Sequence, residues 1–164
     1  VQPGTELSDD TIIKALQRTG LWLHFVPDFD GSNSSSSLVT DILSQSIASL
    51  PQMSTGQMQL FALTRALLRL EQLTTASNSR PVLLLDEATS SIDPSTESTM
   101  RGIIKEVFVD HGHTIVEITH RPGFRERAGT VEHSNMAVIL SQGRIHEQGR
   151  IGDVLRSAKL SDDL

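Results

Sequence analysis

An apolar run, Val82-Leu83-Leu84-Leu85, ends in two adjacent carboxylates, Asp86 and Glu87. Ligands of open α/β sheets bind beyond the C-terminal ends of the strands. Two acids delivered there suit phosphoryl chemistry. Asp86 is placed to hold Mg²⁺, usually through water, and Glu87 to polarise an attacking water. The plainer alternative is that an Asp-Glu pair merely ends a strand. A second segment, Met53-Ser54-Thr55-Gly56-Gln57, stands directly before the clearest helical pattern in the chain. A Ser-x-Gly at a helix start presents free backbone amides and a hydroxyl, a ready anion site. Gly56 lets a phosphate approach the backbone closely. Here the alternative is a simple helix cap. His120 follows the strand-like run Thr114 to Thr119. An imidazole at a strand's C-terminal edge shares the crevice with Asp86 and Glu87. It can donate to a γ-phosphate or orient water there, although a lone histidine is more often structural.

The elements that must position these groups are legible from periodicity. Ser8-Asp9-Asp10 opens a helix, with Ser8 as cap and two acids at the positive helix end. Ile12, Ile13 and Leu16 share a face, Gly20 stops the helix, and Leu21-Trp22 follows as an apolar tail. Residues 28–37, rich in serine, are predicted to be a linker with no function of their own. The spacing of Leu60, Leu63, Leu67 and Leu70 predicts a helix over 56–73, its stripe widened by Phe61 and Leu68. A loop from Thr74 to Arg80 leads into the strand 82–85. Its apolar residues do not alternate with polar ones, so it is predicted to be covered on both faces, as in a parallel sheet. Asp93-Pro94 starts a further helix, with Met100, Ile103, Ile104, Val107 and Phe108 on its buried face. His111-Gly112-His113 turns the chain into the strand at 114–119. A third strand runs from Met136 to Leu140, and a turn at Ser141 to Arg144 returns as the short strand Ile145 to Glu147. Strands alternating with helices indicate an α/β sheet. Too few strands are present to flank 82–85 on both edges, so further strands are expected from upstream.

Composition narrows the possibilities. One domain fits 164 residues. The chain has no cysteine, which excludes disulfides and thiolate metal sites. The net charge of −6 argues against a nucleic-acid binder, whose affinity comes from neutralising phosphates. No apolar run approaches the roughly 20 residues needed to cross a bilayer, and no signal peptide is visible. Val1-Gln2-Pro3-Gly4 reads as the middle of a loop, so preceding sequence is expected.

In order and spacing these features resemble the ATP-binding-cassette family. Met53-Ser54-Thr55-Gly56-Gln57 is similar to the family's Leu-Ser-x-Gly-Gln signature, with Met for Leu, and Leu63-Thr64-Arg65-Ala66-Leu67 to the helix after it. Val82 to Ser90 resembles the Walker B strand with its catalytic glutamate, and Ser90-Ser91-Ile92-Asp93 the D-loop. Ile118-Thr119-His120-Arg121 resembles the switch-histidine segment, and Gly143 to Gly149 the closing hairpin of transporter cassettes. The likeness runs from Val1 to Leu155. Pro3 to Asp10 and the serine-rich loop further resemble fungal-like members of subfamily C, the multidrug-resistance-associated transporters. Glutamate at position 87 is typical of their second cassette.

The resemblance implies an incomplete P-loop NTPase (RecA-like) parallel sheet with part of the cassette's helical subdomain. Residues 1–73 would belong to that subdomain, 81–155 to the C-terminal half of the ATPase core, and 156–164 to a tail. It also implies ATP and Mg²⁺ as cofactors. Two cassettes would pack head to tail around two ATP molecules. Ser54, Gly56 and Gln57 would act on the ATP held by the opposite cassette. Asp86 (metal), Glu87 (general base) and His120 (orienting water and γ-phosphate) would act on the ATP held in cis. Asp93 would couple the two sites. The implied setting is the cytoplasmic face of a membrane, with transmembrane domains of a parent transporter and a second cassette as partners and no nucleic acid.

Departures are equally plain. No Gly-Lys pair occurs in the 164 residues, so the loop Gly-x-x-x-x-Gly-Lys-[Ser/Thr] that grips the β- and γ-phosphates is missing. The Q-loop glutamine is not identifiable. Met58 stands where a basic residue is common, and Arg125 to Asn135 is longer than usual. These 164 residues alone are therefore expected neither to bind ATP tightly nor to hydrolyse it. The alternatives are a soluble cassette ATPase and a catalytically inactive remnant.

Overall fold

The computed structural model describes residues 7–26, 42–76, 80–90, 92–120 and 135–162. The serine-rich segment 28–37, Ser91 and Arg121, and residues 125–134 lie outside them. The chain divides into two compact units, one ending at Ile118 and one beginning at Thr119.

The first unit opens with helix α1 (Asp9–Arg18). Ser8 caps it, its hydroxyl accepting from the Thr11 amide at 3.3 Å, and Asp9 and Asp10 occupy the first turn. Gly20 ends it in the left-handed region at φ +75°. The Gly20 amide donates to Gln17 O at 3.0 Å and the Leu21 amide to Leu16 O at 2.9 Å. This is the Schellman arrangement, in which only glycine adopts the reversing residue without strain. Leu21 and Trp22, read from sequence as a tail, instead enter a short helix, α2 (Trp22–Phe25), and are deeply buried. A 3₁₀ turn (Ile47–Ser49) precedes the long helix α3 (Thr55–Ala76).

Leu60, Leu63 and Leu67 of α3 are buried and Leu70 partly so. They join Leu16, Trp22 and Phe25 in one core. Each such side chain contributes roughly 1.5–3 kcal/mol on burial. Two threonines lock α1 to α3: the hydroxyls of Thr19 and Thr64, both buried, lie 2.8 Å apart. Thr64 also donates to Leu60 O at 2.9 Å. Each buried hydroxyl is thereby satisfied.

Strands β1 (Leu83–Asp86) and β2 (Ile115–Ile118) pair in parallel, with Leu83 opposite Ile115 and Asp86 opposite Ile118. Between them runs α4 (Pro94–Ile104), prolonged by a π-helical turn (Lys105–Val109). Met100, Ile103, Ile104 and Phe108 bury the face that the sequence predicted, against Leu83 and Leu85. The prediction that the first strand is covered on both faces is met on one. Leu84 is 72% exposed, and Val82, Val116 and Ile118 are exposed beside it. No described residue of this first unit covers that apolar face.

The second unit is an antiparallel hairpin, β3 (Met136–Ser141) and β4 (Arg144–Arg150), followed by helix α5 (Ile151–Asp162). Gln142 and Gly143 both have positive φ (49° and 73°). Two such residues make the I′-type turn that matches strand twist. Ile139 pairs with Glu147 but Leu140 with Ile145, so His146 is the extra residue of a bulge. Residues 156–162, read as a tail, are the second half of α5. Ile151 and Val154 on its first turns are buried.

Candidate functional site

The acidic end of β1 is built by backbone geometry. Glu87 has φ +46°, a left-handed conformation at a non-glycine residue. Such a residue is uncommon and costs about 1–3 kcal/mol unless its surroundings hold it; when observed, it points to a functional position. Two hydrogen bonds hold it here. The Glu87 amide donates to Ile118 O at 2.9 Å, extending the ladder one step past the strand. The Ser90 amide donates to Glu87 O at 3.0 Å and closes the turn 87–90. The side chains of Asp86 and Glu87 are exposed at the strand's C-terminal end, where sheets of this type receive ligands.

Behind that turn lies a charge cluster that sequence reading missed. Arg101 of α4 donates from Nη2 to Thr89 Oγ1 at 3.0 Å and to Glu117 Oε1 at 3.2 Å, and from Nε to Glu97 Oε1 at 3.2 Å. The side chains of Arg101 and Glu117 are only 19% and 15% exposed. Burial pulls the guanidinium pKa below its usual value, while Glu117 and Glu97 oppose that pull. The available signal was Glu117, a charge within an otherwise apolar strand at a position facing the core side.

Ser54, Gly56 and Gln57 form the start of α3. Ser54 Oγ accepts from the Gln57 amide at 3.2 Å, and Gln57 Oε1 accepts from the Ser54 amide at 2.8 Å. This reciprocal pair is a capping box. Gln57 Nε2 lies 3.2 Å from His24 Nδ1, so its amide is engaged at both ends. An added Cβ at Gly56 would stand 3.3 Å from Thr96 Cγ2 and 3.7 Å from Ile92 Cγ2. A side chain at this position would therefore crowd the Thr96 methyl, apart from any phosphate.

That contact brings the start of α3 to the segment carrying Asp93. Asp93 is the N-cap of α4, as its sequence context predicted. Its Oδ1 accepts from the amides of Ser95 and Thr96, both at 3.0 Å, and its Oδ2 from Thr96 Oγ1 at 2.6 Å. The Ser95 and Thr96 hydrogen bonds hold its carboxyl well below the usual carboxylate range. His120 is exposed, two residues past the end of β2, and belongs to the second unit. The first unit thus carries two separate groups, Asp86 with Glu87 at the end of β1, and Ser54, Gly56 and Gln57 at the start of α3 beside the segment of Asp93.

Among the described residues no three or more His, Asp or Glu side chains are grouped to enclose a metal ion. Mg²⁺ does not need such a cage. It binds nucleotide sites through one or two carboxylates and takes its remaining oxygens from water and phosphate. Asp86 with Glu87 beside it fits that donor set.

No family model matches the chain. It is 33% identical over 154 residues to Bile pigment transporter 1 of Saccharomyces cerevisiae, covering 90% of this chain and 9% of that protein. It is 35% identical over 107 residues to the methionine import ATP-binding protein MetN of Histophilus somni, covering 65% of this chain and 27% of that one. A bacterial Atm1-family ABC exporter solved with ATP bound shares the fold at a TM-score of 0.55 and 23% identity. That match covers 92% of this chain and 22% of the exporter chain. The chain thus spans about a quarter or less of each of these relatives. No helix among the described residues is long and apolar enough to cross a membrane. In its ordered motifs, its acid-bearing parallel strand and its match to these relatives, the chain is similar to part of an ATP-binding-cassette nucleotide-binding domain.

Proposed function

We propose that the chain is the signature-to-closing-hairpin portion of a cassette ATPase that powers transmembrane transport. The observation that carries the reading is the end of β1. There an apolar parallel strand presents Asp86 and Glu87, with Glu87 turned out by a left-handed backbone (φ +46°). In this reading Asp86 would hold Mg²⁺, and Glu87 would accept the proton of the water that attacks the γ-phosphate. Mg²⁺ supplies charge neutralisation on the phosphate oxygens when bound. His120 orients the water and the γ-phosphate.

The capped start of α3 acts on the ATP of a second cassette packed head to tail. A helix N-terminus directs its amides and positive dipole end at phosphate. Closure is then favoured only while the γ-phosphate is present, and hydrolysis releases it. Asp93 couples the two sites through the loop that packs on Gly56. Residues 1–73 serve as part of the helical subdomain and 81–155 as part of the ATPase core. Transmembrane domains of the parent protein complete the machine at the cytoplasmic face of a membrane. Placement in subfamily C, as a second cassette, is the finer form of the reading, supported by Pro3 to Asp10 and by glutamate at position 87.

Glu87→Gln tests it in the protein that carries the complete nucleotide site. ATP binding is expected to persist while hydrolysis slows by about 10²–10⁴-fold, the range for a lost acid/base group. Turnover at the wild-type rate removes Glu87 from this role.

A further inference from the structure

We infer that Arg101 is a positioning residue for Glu87, acting through Thr89, and that Glu117 holds Arg101 in place for that purpose. The inference rests on the reading of Glu87 as general base. Three observations meet. First, the turn 87–90 is strained at its first residue, Glu87. Its backbone hydrogen bonds to Ile118 and Ser90 hold it only while the turn 87–90 stays in place, so whatever anchors that turn also holds Glu87. Second, Thr89 within that turn is 7% exposed, and its hydroxyl accepts from Arg101 Nη2 at 3.0 Å. The same Nη2 also donates to Glu117 Oε1 at 3.2 Å. One planar fork thus joins the turn after β1, the helix α4 and the strand β2. Third, Glu117 lies opposite Leu85 in the register, on the strand face that carries the core. A carboxylate there is tolerated only when paired and hydrogen-bonded, and Arg101 supplies the pairing.

The geometry separates this brace from an ordinary ion pair. Arg101 already has Glu97 one turn earlier on its own helix, so its charge has a partner without Glu117. What Glu117 adds is direction: it pulls Nη2 across to β2, where the second hydrogen of that nitrogen faces the Thr89 hydroxyl. Arginine suits the task because its fork is planar and remains charged throughout the accessible pH range. Lysine offers a point charge with no fixed second direction.

Thr89→Val tests the brace, since it removes the hydroxyl and leaves the Arg101–Glu117 pair in place. In the chain itself, amide hydrogen exchange at Glu87 and Ser90 is expected to accelerate about tenfold or more, the loss of one charge-assisted hydrogen bond. Exchange at Leu85 and Ile103 should stay as it was. In the protein with the complete nucleotide site, kcat for ATP should fall by a similar factor of about ten while KM holds, because the water and not the nucleotide is misplaced. Arg101→Lys should give the same pattern, and it serves if the valine variant fails to fold. Unchanged exchange at Glu87 and Ser90, or acceleration shared equally by Leu85 and Ile103, overturns the brace. Faster exchange at the turn with kcat unaltered overturns its positioning role. Glu87→Gln separates the two levels. If it slows hydrolysis and Thr89→Val does not, the positioning inference alone falls. If it leaves hydrolysis intact, the functional reading falls, and the exchange data still decide whether the brace exists.

Discussion

Gly56 and Gln57 show how one residue can answer to two demands. The sequence placed both in a phosphate-binding role. The structure finds Gln57 closing a capping box with Ser54 and touching His24, and Gly56 placed where an added Cβ would crowd Thr96. A helix start that offers amides to an anion must itself be held rigid, and these contacts hold it. Gly56→Ala is expected to destabilise the fold by about 1–3 kcal/mol, the range for overpacking. Thr96→Ser removes the methyl group in the way, so the double variant should recover part of that loss. Urea unfolding of the two single variants and the double reads this directly. A Gly56→Ala variant as stable as the wild type would show that the contact gives way freely. Glu87 belongs to the same scale. Its adjacency to Asp86 was legible, but its left-handed backbone was not. That conformation comes from a bond to Ile118 and a turn closed by Ser90, neither of which a local pattern encodes.

At the scale of elements, the helices were the most legible parts. The leucine spacing in α3, the Ser8 and Asp93 caps and the Gly20 stop are local chemistry, since each acts within one turn of its own position. Asp93 gives this a measurable form. Its folded-state pKa lies below that of an unfolded aspartate. A depressed carboxyl stabilises the fold while it is ionised. Its contribution is therefore complete above the unfolded value of about 3.9, and is lost as the pH falls from there through the folded value. The stability gap between wild type and Asp93→Asn should be constant above about pH 5 and narrow below about pH 4. A gap that stays flat through acid would contradict the assignment. The missed elements were those that depend on company. Trp22 to Phe25 is too short to announce itself by period, and it is helical because Trp22 and Phe25 find the core formed by α1 and α3. Residues 156–162 continue a helix that begins where Ile151 and Val154 are buried.

At the scale of the whole molecule, the chain forms two compact units, the first ending at Ile118. In the first, the parallel pair β1–β2 has α3 and α4 residues on one side and open apolar surface on the other, with Leu84 at its centre. Leu84→Thr is expected to leave unfolding free energy within about 0.5 kcal/mol, as for other exposed positions. A loss of several kcal/mol would mean that Leu84 is packed in solution.

The sequence by itself determined what short range can encode. It placed the carboxylate pair at a strand end, the capped helix with its Ser-x-Gly, the turn chemistry and the order of motifs that marks the cassette family. Each depends on residue types a few positions apart, because capping, turn preference and periodicity are local interactions. Only the tertiary structure decided which side of β1 is covered, that Arg101, Glu117 and Thr89 meet behind Glu87, and that Thr96 stands beside Gly56. Those contacts join residues distant in the chain. They arise from the packing of α4 across the two strands and of α3 against its start, which no local pattern specifies.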